Sequence, residues 1–510
     1  MHSQPLLVTV DAFLNAHPLP NSQNSCSPDE LFEEVLRHEE HYWAEHWPSS
    51  LAVNTDRNQQ SVAATTSADT QGNFNRKLAR QAVAAATLTD IQDEEDATSL
   101  LNLLPANPGT NTKDLAQWLR DCYPPHSDET NHPSLWCEHL EPDRIGEHLV
   151  ASESPDLDSL LRELLSIDRV GTSALRTWTV LERTSTDPHL NEHVGRILND
   201  VLVEVTQAVH EQTIKSQSPD LAAAFAKLFS SMCSYIDPNK AYEAERPLSE
   251  SGYLTAFLEC ELAQCAASIG HPTADAPETD RATYASRQFS FSIRLAQTGR
   301  HIEALEAAQE ATNFYRTLAE HDPAAYTPDL AASLNNLAGS QVENGQRHEA
   351  LKTAQEATNL YRTLAKHNPA TYNPGLAISL NNLANSQAEN GQRHEALKTA
   401  QEAVTIRRNL VEHNPATYAP DLAISLNNLA IWQTENDHLD EALMTIQEAT
   451  NLYQELFSKH FQAFSGRFAT TLETHARILE HCGDAAEAAR IRQERNAVLK
   501  RMKEMEEGDA

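Results

Sequence analysis

Three histidines and three glutamates crowd one short stretch: His38, Glu39, Glu40, His41, Glu45 and His46. Imidazoles beside a carboxylate on one helix face are what a zinc hydrolase uses, since neutral ring nitrogens hold the metal and the carboxylate handles the proton of its water. An HExxH arrangement would need histidine at position 42, where Tyr42 stands, and His38 with His41 alone is an i, i+3 pair. The stretch reads first as an amphipathic helix packing Leu36, Trp43 and Trp47. A metal-dependent hydrolase using the His38/His41 region is kept as the alternative function. His189 and His193 form an i, i+4 pair with no third ligand nearby in sequence, which reads as a solvated surface pair.

Other reaction chemistries find no signature. None of the fifteen glycines is followed by lysine, so no GxxxxGK[ST] loop can cradle phosphates. There is no GxSxG elbow. Cys26, Cys122, Cys137, Cys233, Cys260, Cys265 and Cys482 are scattered, odd in number and without a CxxC, which fits a reducing compartment better than a disulfide framework. Cys260 and Cys265 are expected to pack as small apolar residues. We assign no catalytic residue, cofactor or metal ligand.

The charge balance narrows the partners. With 39 basic against 73 acidic residues the net charge is -34, which argues against nucleic acid or an anionic membrane as the main partner. No lysine or arginine precedes the brief apolar run Pro5 to Val10, so no secretory signal is expected, and no stretch approaches the length of apolar residues a membrane span needs. A cytoplasmic protein is the expectation.

The elements that must position any site are set by a repeat. Glu303-Ala304-Leu305 returns as Glu349-Ala350-Leu351, Glu395-Ala396-Leu397 and Glu441-Ala442-Leu443, each 46 residues after the last. The same offset carries Leu334-Asn335-Asn336-Leu337-Ala338 to Leu380 through Ala384 and Leu426 through Ala430. It also links Gly299, Gly345, Gly391 and Gly483, with Asp437 in the fourth slot. A strict period of this length marks a stacked array in which no unit buries its apolar face alone.

Each period reads as two helices. The first is expected to begin after Tyr326-Thr327-Pro328, Tyr372-Asn373-Pro374 or Tyr418-Ala419-Pro420, with proline in the opening turn, and to close near the glycine, which accepts a left-handed conformation. In the second, Ala350, Ala354, Ala357, Tyr361 and Leu364 make one stripe whose small residues let the neighbouring helix approach. His367-Asn368-Pro369 stops it.

This pattern resembles the tetratricopeptide repeat family, in the long-repeat kind related to kinesin light chains, where LNNLA, a glycine turn and EAL recur. The family's usual repeat is about 34 residues. The excess here is expected as extra turns over Arg362 to His367 plus the Pro-Ala-x-Tyr-x-Pro connection. The resemblance covers about two fifths of the chain and implies a concave groove. Its wall, carried over position by position, falls on Ala332, Asn335, Gly339, Val342 and Glu343; on Ile378, Asn381, Asn385, Ala388 and Glu389; and on Ile424, Asn427, Ile431, Thr434 and Glu435. Amides at Asn335, Asn381, Asn385 and Asn427 can clamp an extended backbone because each both gives and accepts a hydrogen bond. Glu343, Glu389 and Glu435 would form an acidic file that favours a basic segment. The neighbouring Asn336 series is expected to bond between helices.

The N-terminal half carries a second resemblance. HEEHYW at 38–43, AVAAATL at 82–88, WLRDCYP at 118–124 and LEPDRIGEHLV at 140–150 are similar to the segment after the nucleotide-binding module of actinobacterial signal-transducing multidomain NTPases. That likeness implies a winged-helix-like domain, a helical arm and a repeat sensor, with the NTPase encoded separately, supplied by a partner, or lost.

The expected architecture is all-α. A segment and linker at 1–28 precede a winged-helix-like, mostly helical domain at 29–150, with a loop near 48–75. A helical arm at 151–280 leads to an α-solenoid of five helix pairs at 281–505. The expected function is a non-enzymatic scaffold or sensor that captures a protein or peptide in the groove, in bacterial signalling or defence.

Overall fold

The structure, a computed structural model, describes residues 28–51, 74–107, 111–125, 135–137, 140, 143–153, 156–166, 170, 174–185, 188–216, 218–248, 254–273 and 275–508. Among them every regular element is helical. The chain divides into two compact units, Met1–Ser268 and Ile269–Ala510.

The first unit holds α1 (Pro28–Glu45), α2 (Arg76–Leu88), α3 (Glu94–Leu101), α4 (Thr112–Cys122), α5 (Asp143–Glu153), α6 (Asp158–Leu164), α7 (Ala174–Arg183), α8 (Pro188–Ser216), α9 (Asp220–Met232), α10 (Pro238–Glu245) and α11 (Ala256–Ala267). Every residue of α2 from Leu78 to Leu88 is buried, so this helix is the centre that α1, α3, α4, α5 and α7 surround. Burial on all sides requires the one charge between Leu78 and Leu88 to be paired. Arg80 donates to Glu40 (2.9 Å), Glu153 (2.6 Å), Glu33 (3.3 Å) and Ser152 Oγ (2.9 Å), which ties α1, α2 and α5 together. Trp43 Nε1 donates to Tyr123 Oη at 2.9 Å, fixing α1 against the end of α4. Of the hairpin-like segment expected around Trp136 and Leu140, the described residues include Trp136, whose backbone N–H donates to the Ile91 carbonyl at 2.8 Å. Most of the expected loop near 48–75, and the segment at 1–27, lie outside the described residues.

The second unit runs through α12 (Glu278–Gln297), α13 (His301–His321), α14 (Pro323–Glu343), α15 (Arg347–His367), α16 (Pro369–Glu389), α17 (Arg393–His413), α18 (Pro415–Glu435), α19 (Leu439–Lys459), α20 (Phe461–His481) and α21 (Ala485–Gly508). Each packs on the next in sequence, and the first helices of adjacent pairs also touch, as an α-solenoid requires. The alanine stripe is at the seam: Ala350, Ala354 and Ala357 are fully buried and Tyr361 is 9 % exposed. Between helices of a pair, Gly299, Gly345, Gly391 and Gly483 have φ of 78, 73, 78 and 84°, and Asp437 adopts 62° in the fourth slot.

The helix starts differ from the sequence expectation. The first helices begin at Pro323, Pro369 and Pro415, while Pro328, Pro374 and Pro420 lie inside them. The residue expected to end one helix also caps the next: the side chains of Asp322, Asn368 and Asn414 accept from the backbone N–H of Ala325, Thr371 and Thr417. The Pro-Ala-x-Tyr-x-Pro stretch is therefore helix, and α13 through α20 are each 21 residues long.

Two further files repeat with the period. Asn344, Asn390 and Asn436 donate to the carbonyls of His301, Arg347 and Arg393 at 2.8, 2.9 and 3.2 Å, pinning each turn to the preceding repeat. Arg316, Arg362 and Arg408 each donate to the glutamate 40 residues on, Glu356, Glu402 and Glu448, giving one rung per repeat with closest distances of 2.5, 2.6 and 2.6 Å.

Candidate functional site

The first helices of the pairs carry the groove residues because their other face is committed to packing. In α14, Leu334, Leu337 and Ala338 are at most 3 % exposed, so residues a third of a turn away line the open side. A groove of about 530 Å³ is lined there by Ala332, Asn335, Gly339 and Glu343 of α14, with Ile378 of α16 and Phe289 of α12 across it. Ile378 is 46 % exposed, a large apolar side chain presented to solvent.

Three of the four expected asparagines share one property. Asn335 Oδ1, Asn381 Oδ1 and Asn427 Oδ1 are each buried without a hydrogen-bond partner among the described residues, and Asn335 as a residue is only 8 % exposed. Withdrawing an amide oxygen from water without a partner costs on the order of 1–3 kcal/mol, so a file of three is a standing demand for donors. The amide nitrogen of Asn381 is already used, donating to Ser425 Oγ of the next repeat at 2.7 Å. The Asn336 series bonds between helices at Asn336 itself, which donates to Ser292 Oγ at 2.6 Å.

The structure brings Ala332, Asn335, Gly339 and Glu343 together in this groove. Asn381, Asn385, Glu389, Asn427 and Glu435 stand at equivalent positions of the later repeats, outside its lining. Asn385 is half-buried; Glu343, Glu389 and Glu435 are exposed, and Glu435 pairs with Arg393 at 3.5 Å.

His301, at the first residue of α13, is a groove residue that sequence reasoning missed. It lines the same groove, and its Nδ1 is buried without a partner. Its counterparts one, two and three periods on are Arg347, Arg393 and Leu439, so no repeated signal pointed to it.

The N-terminal histidines form a different picture. His38 and His41 are exposed on α1, and His46 Nδ1 lies 2.8 Å from the Tyr42 carbonyl. Leu36 and Trp43 are fully buried on the opposite face, with Trp47 packed beside them. Among the described residues no three of His, Cys, Asp and Glu stand together as metal ligands. Glu39, between the two histidines, is drawn inward, and burial pushes its carboxyl up to about 7. His193 lies 3.5 Å from Asp158, with its pKa lowered by burial, and the side chain of His189 lies outside the described residues. Cys260 and Cys265 are buried in the helix Ala256–Ala267. Among the described residues no helix is long and apolar enough to cross a membrane.

Comparison with known proteins follows the repeat. A family model described as tetratricopeptide repeat matches residues 376–416. No curated protein matches the chain in sequence. Among solved structures, the kinesin light chain nearly identical TPR-like repeats of Podosopora anserina are 19% identical, with 45% of this chain and 98% of that chain covered and a TM-score of 0.34. The Signal Transduction ATPase with Numerous Domains protein with a tetratricopeptide repeat sensor from Pyrococcus horikoshii is 12% identical over 96% of this chain and 67% of its own, with a TM-score of 0.36. The Rap conjugation gene regulator of the plasmid pLS20, solved with the Phr* peptide, is 13% identical over 52% of this chain and 70% of its own, at a TM-score of 0.34. With its 46-residue period and its left-handed turn in every repeat, the second unit is an array of helix pairs, of which residues 376–416 match the tetratricopeptide repeat model.

Proposed function

We propose that this protein is a non-enzymatic capture protein whose repeat groove holds an extended segment of a partner polypeptide. The observation that carries the reading is the file of buried, unpartnered carbonyl oxygens on Asn335, Asn381 and Asn427. A backbone N–H from an extended chain satisfies such a file once each amide turns its enclosed oxygen toward the groove, whatever the partner's side chains, since every residue but proline carries one. Phe289, Ile293 and Ile378 supply apolar surface for alternate side chains of that segment. Exposed Glu343 at the groove's edge favours a basic residue there.

The test is selection of a random peptide library on the full-length chain, with counter-selection on the Asn335→Ala, Asn381→Ala, Asn427→Ala triple variant. The reading predicts enriched peptides that the triple variant does not retain. Peptides held equally by both proteins, or no enrichment, would overturn it.

A further inference from the structure

A second site stands apart from the groove, sharing none of its lining residues. The Arg–Glu rungs step by one period, and the glutamate file Glu448, Glu402, Glu356 continues backward to Glu310. Each of the others receives an arginine from 40 residues earlier; for Glu310 that position is Gly270, which has no side chain to offer. Tyr284 Oη donates to Glu310 Oε1 at 2.7 Å, and His271 Nε2 lies 3.4 Å from the same oxygen.

Around this rung is a cavity of about 740 Å³, lined by His271, Glu306, Gln309, Glu310, Asn313 and Phe314 among others, with no lysine or arginine among the described residues of its wall. The rings of His271, Tyr284 and Phe314 pack mutually at 5.4, 5.2 and 5.0 Å, forming an aromatic side to a carboxylate-bearing pocket. A planar guanidinium suits both features, stacking on a ring while its N–H fork meets a carboxylate; an ammonium meets the charge alone.

We propose that this pocket takes an arginine side chain of a partner protein, which completes at Glu310 the rung that the array builds for itself at Glu356, Glu402 and Glu448.

Saturation-transfer NMR on the full-length protein tests it, with N-acetyl-L-arginine amide as the probe of a chain-embedded arginine. N-acetyl-L-citrulline amide, of the same shape without charge, and free L-arginine are the comparisons. Strong transfer to the arginine amide is expected, with citrulline about tenfold weaker, the loss of one charge-assisted contact. Glu310→Gln should reduce transfer to the arginine amide with the melting temperature little changed, Phe314→Ala should reduce it together with some loss of stability from its packing on His271 and Tyr284, and Glu356→Gln should leave it. No transfer to the arginine amide, equal transfer to citrulline, or indifference to Glu310→Gln would overturn the site. Tighter binding of free arginine than of its amide would overturn the assignment to a protein partner.

Discussion

Gly375 of α16 sits against the ring of Tyr361 of α15: a Cβ on the glycine would stand 2.4 Å from Tyr361 Cε1. The phenol is buried and its pKa raised by that burial, so the ring has little freedom to retreat. Gly375→Ala should destabilise the protein by about 1–3 kcal/mol through overpacking. Tyr361→Ala alone should cost about 3–5 kcal/mol, as for a large aromatic cut from a core. Chemical denaturation of the two singles and the double checks the contact, and the double should cost less than the sum.

The next repeat solves the same position with charge. Arg407 replaces the tyrosine, and at 2 % exposure its guanidinium donates to Asp421 at 2.7 Å, where Gly375 stands one repeat earlier. Burial lowers the Arg407 pKa and Asp421 opposes that shift. Asp421→Ala strands the arginine and should cost about 1–3 kcal/mol, the half-exposed aspartate keeping it below the full cost of breaking a buried pair. The double change Arg407→Tyr with Asp421→Gly reinstates the neighbouring repeat's pairing and should recover most of the loss in the same denaturation assay.

Asp437 holds a left-handed turn that glycine holds in four other repeats. Asp437→Gly should raise stability by about 0.5–1 kcal/mol, because glycine takes this φ without steric cost. A melting temperature that falls would contradict it.

Glu39 gives a pH signature to the first unit. Burial raises its folded pKa to about 7 from 4.5, and Oε2 has no hydrogen-bond partner. The fold favours the protonated form, so its contribution is fully present below the unfolded value and is lost as pH rises through about 7. Glu39→Gln should therefore stabilise the protein at pH 8 by up to roughly 3 kcal/mol relative to its effect at pH 4, as the shift converts at about 1.4 kcal/mol per unit. Denaturation of both proteins across that range measures the difference.

Much of the array was legible because the period states the same physics repeatedly. The turn glycines, the Asp437 slot and the stripe from Ala350 to Leu364, buried as far as Tyr361 and half-buried at Leu364, follow from the repeat and its helical spacing. The helix starts were not, because Pro323 and Pro328 are both acceptable near a helix N-terminus and sequence alone does not choose. The Asp322 cap decides for Pro323; Pro328 then forfeits one bond, while Thr327 Oγ1 donates to the Pro323 carbonyl at 2.6 Å. The Arg–Glu rungs were not read from the sequence, because partners 40 residues apart take on meaning only when the helices are placed side by side. His301 broke the period and so gave no sign of lining the groove.

The central claim is that unpartnered oxygens on Asn335, Asn381 and Asn427 receive a partner's backbone N–H groups. The direct measurement is fluorescence anisotropy of a library-selected peptide and its backbone N-methylated twin, against the full-length protein and the triple asparagine-to-alanine variant. N-methylation removes the donors and alanine removes the acceptors. Each change alone should therefore weaken binding by about tenfold or more, and the two together by no more than either alone. Additive losses, or a methylated peptide that binds as tightly as its parent, would contradict the account.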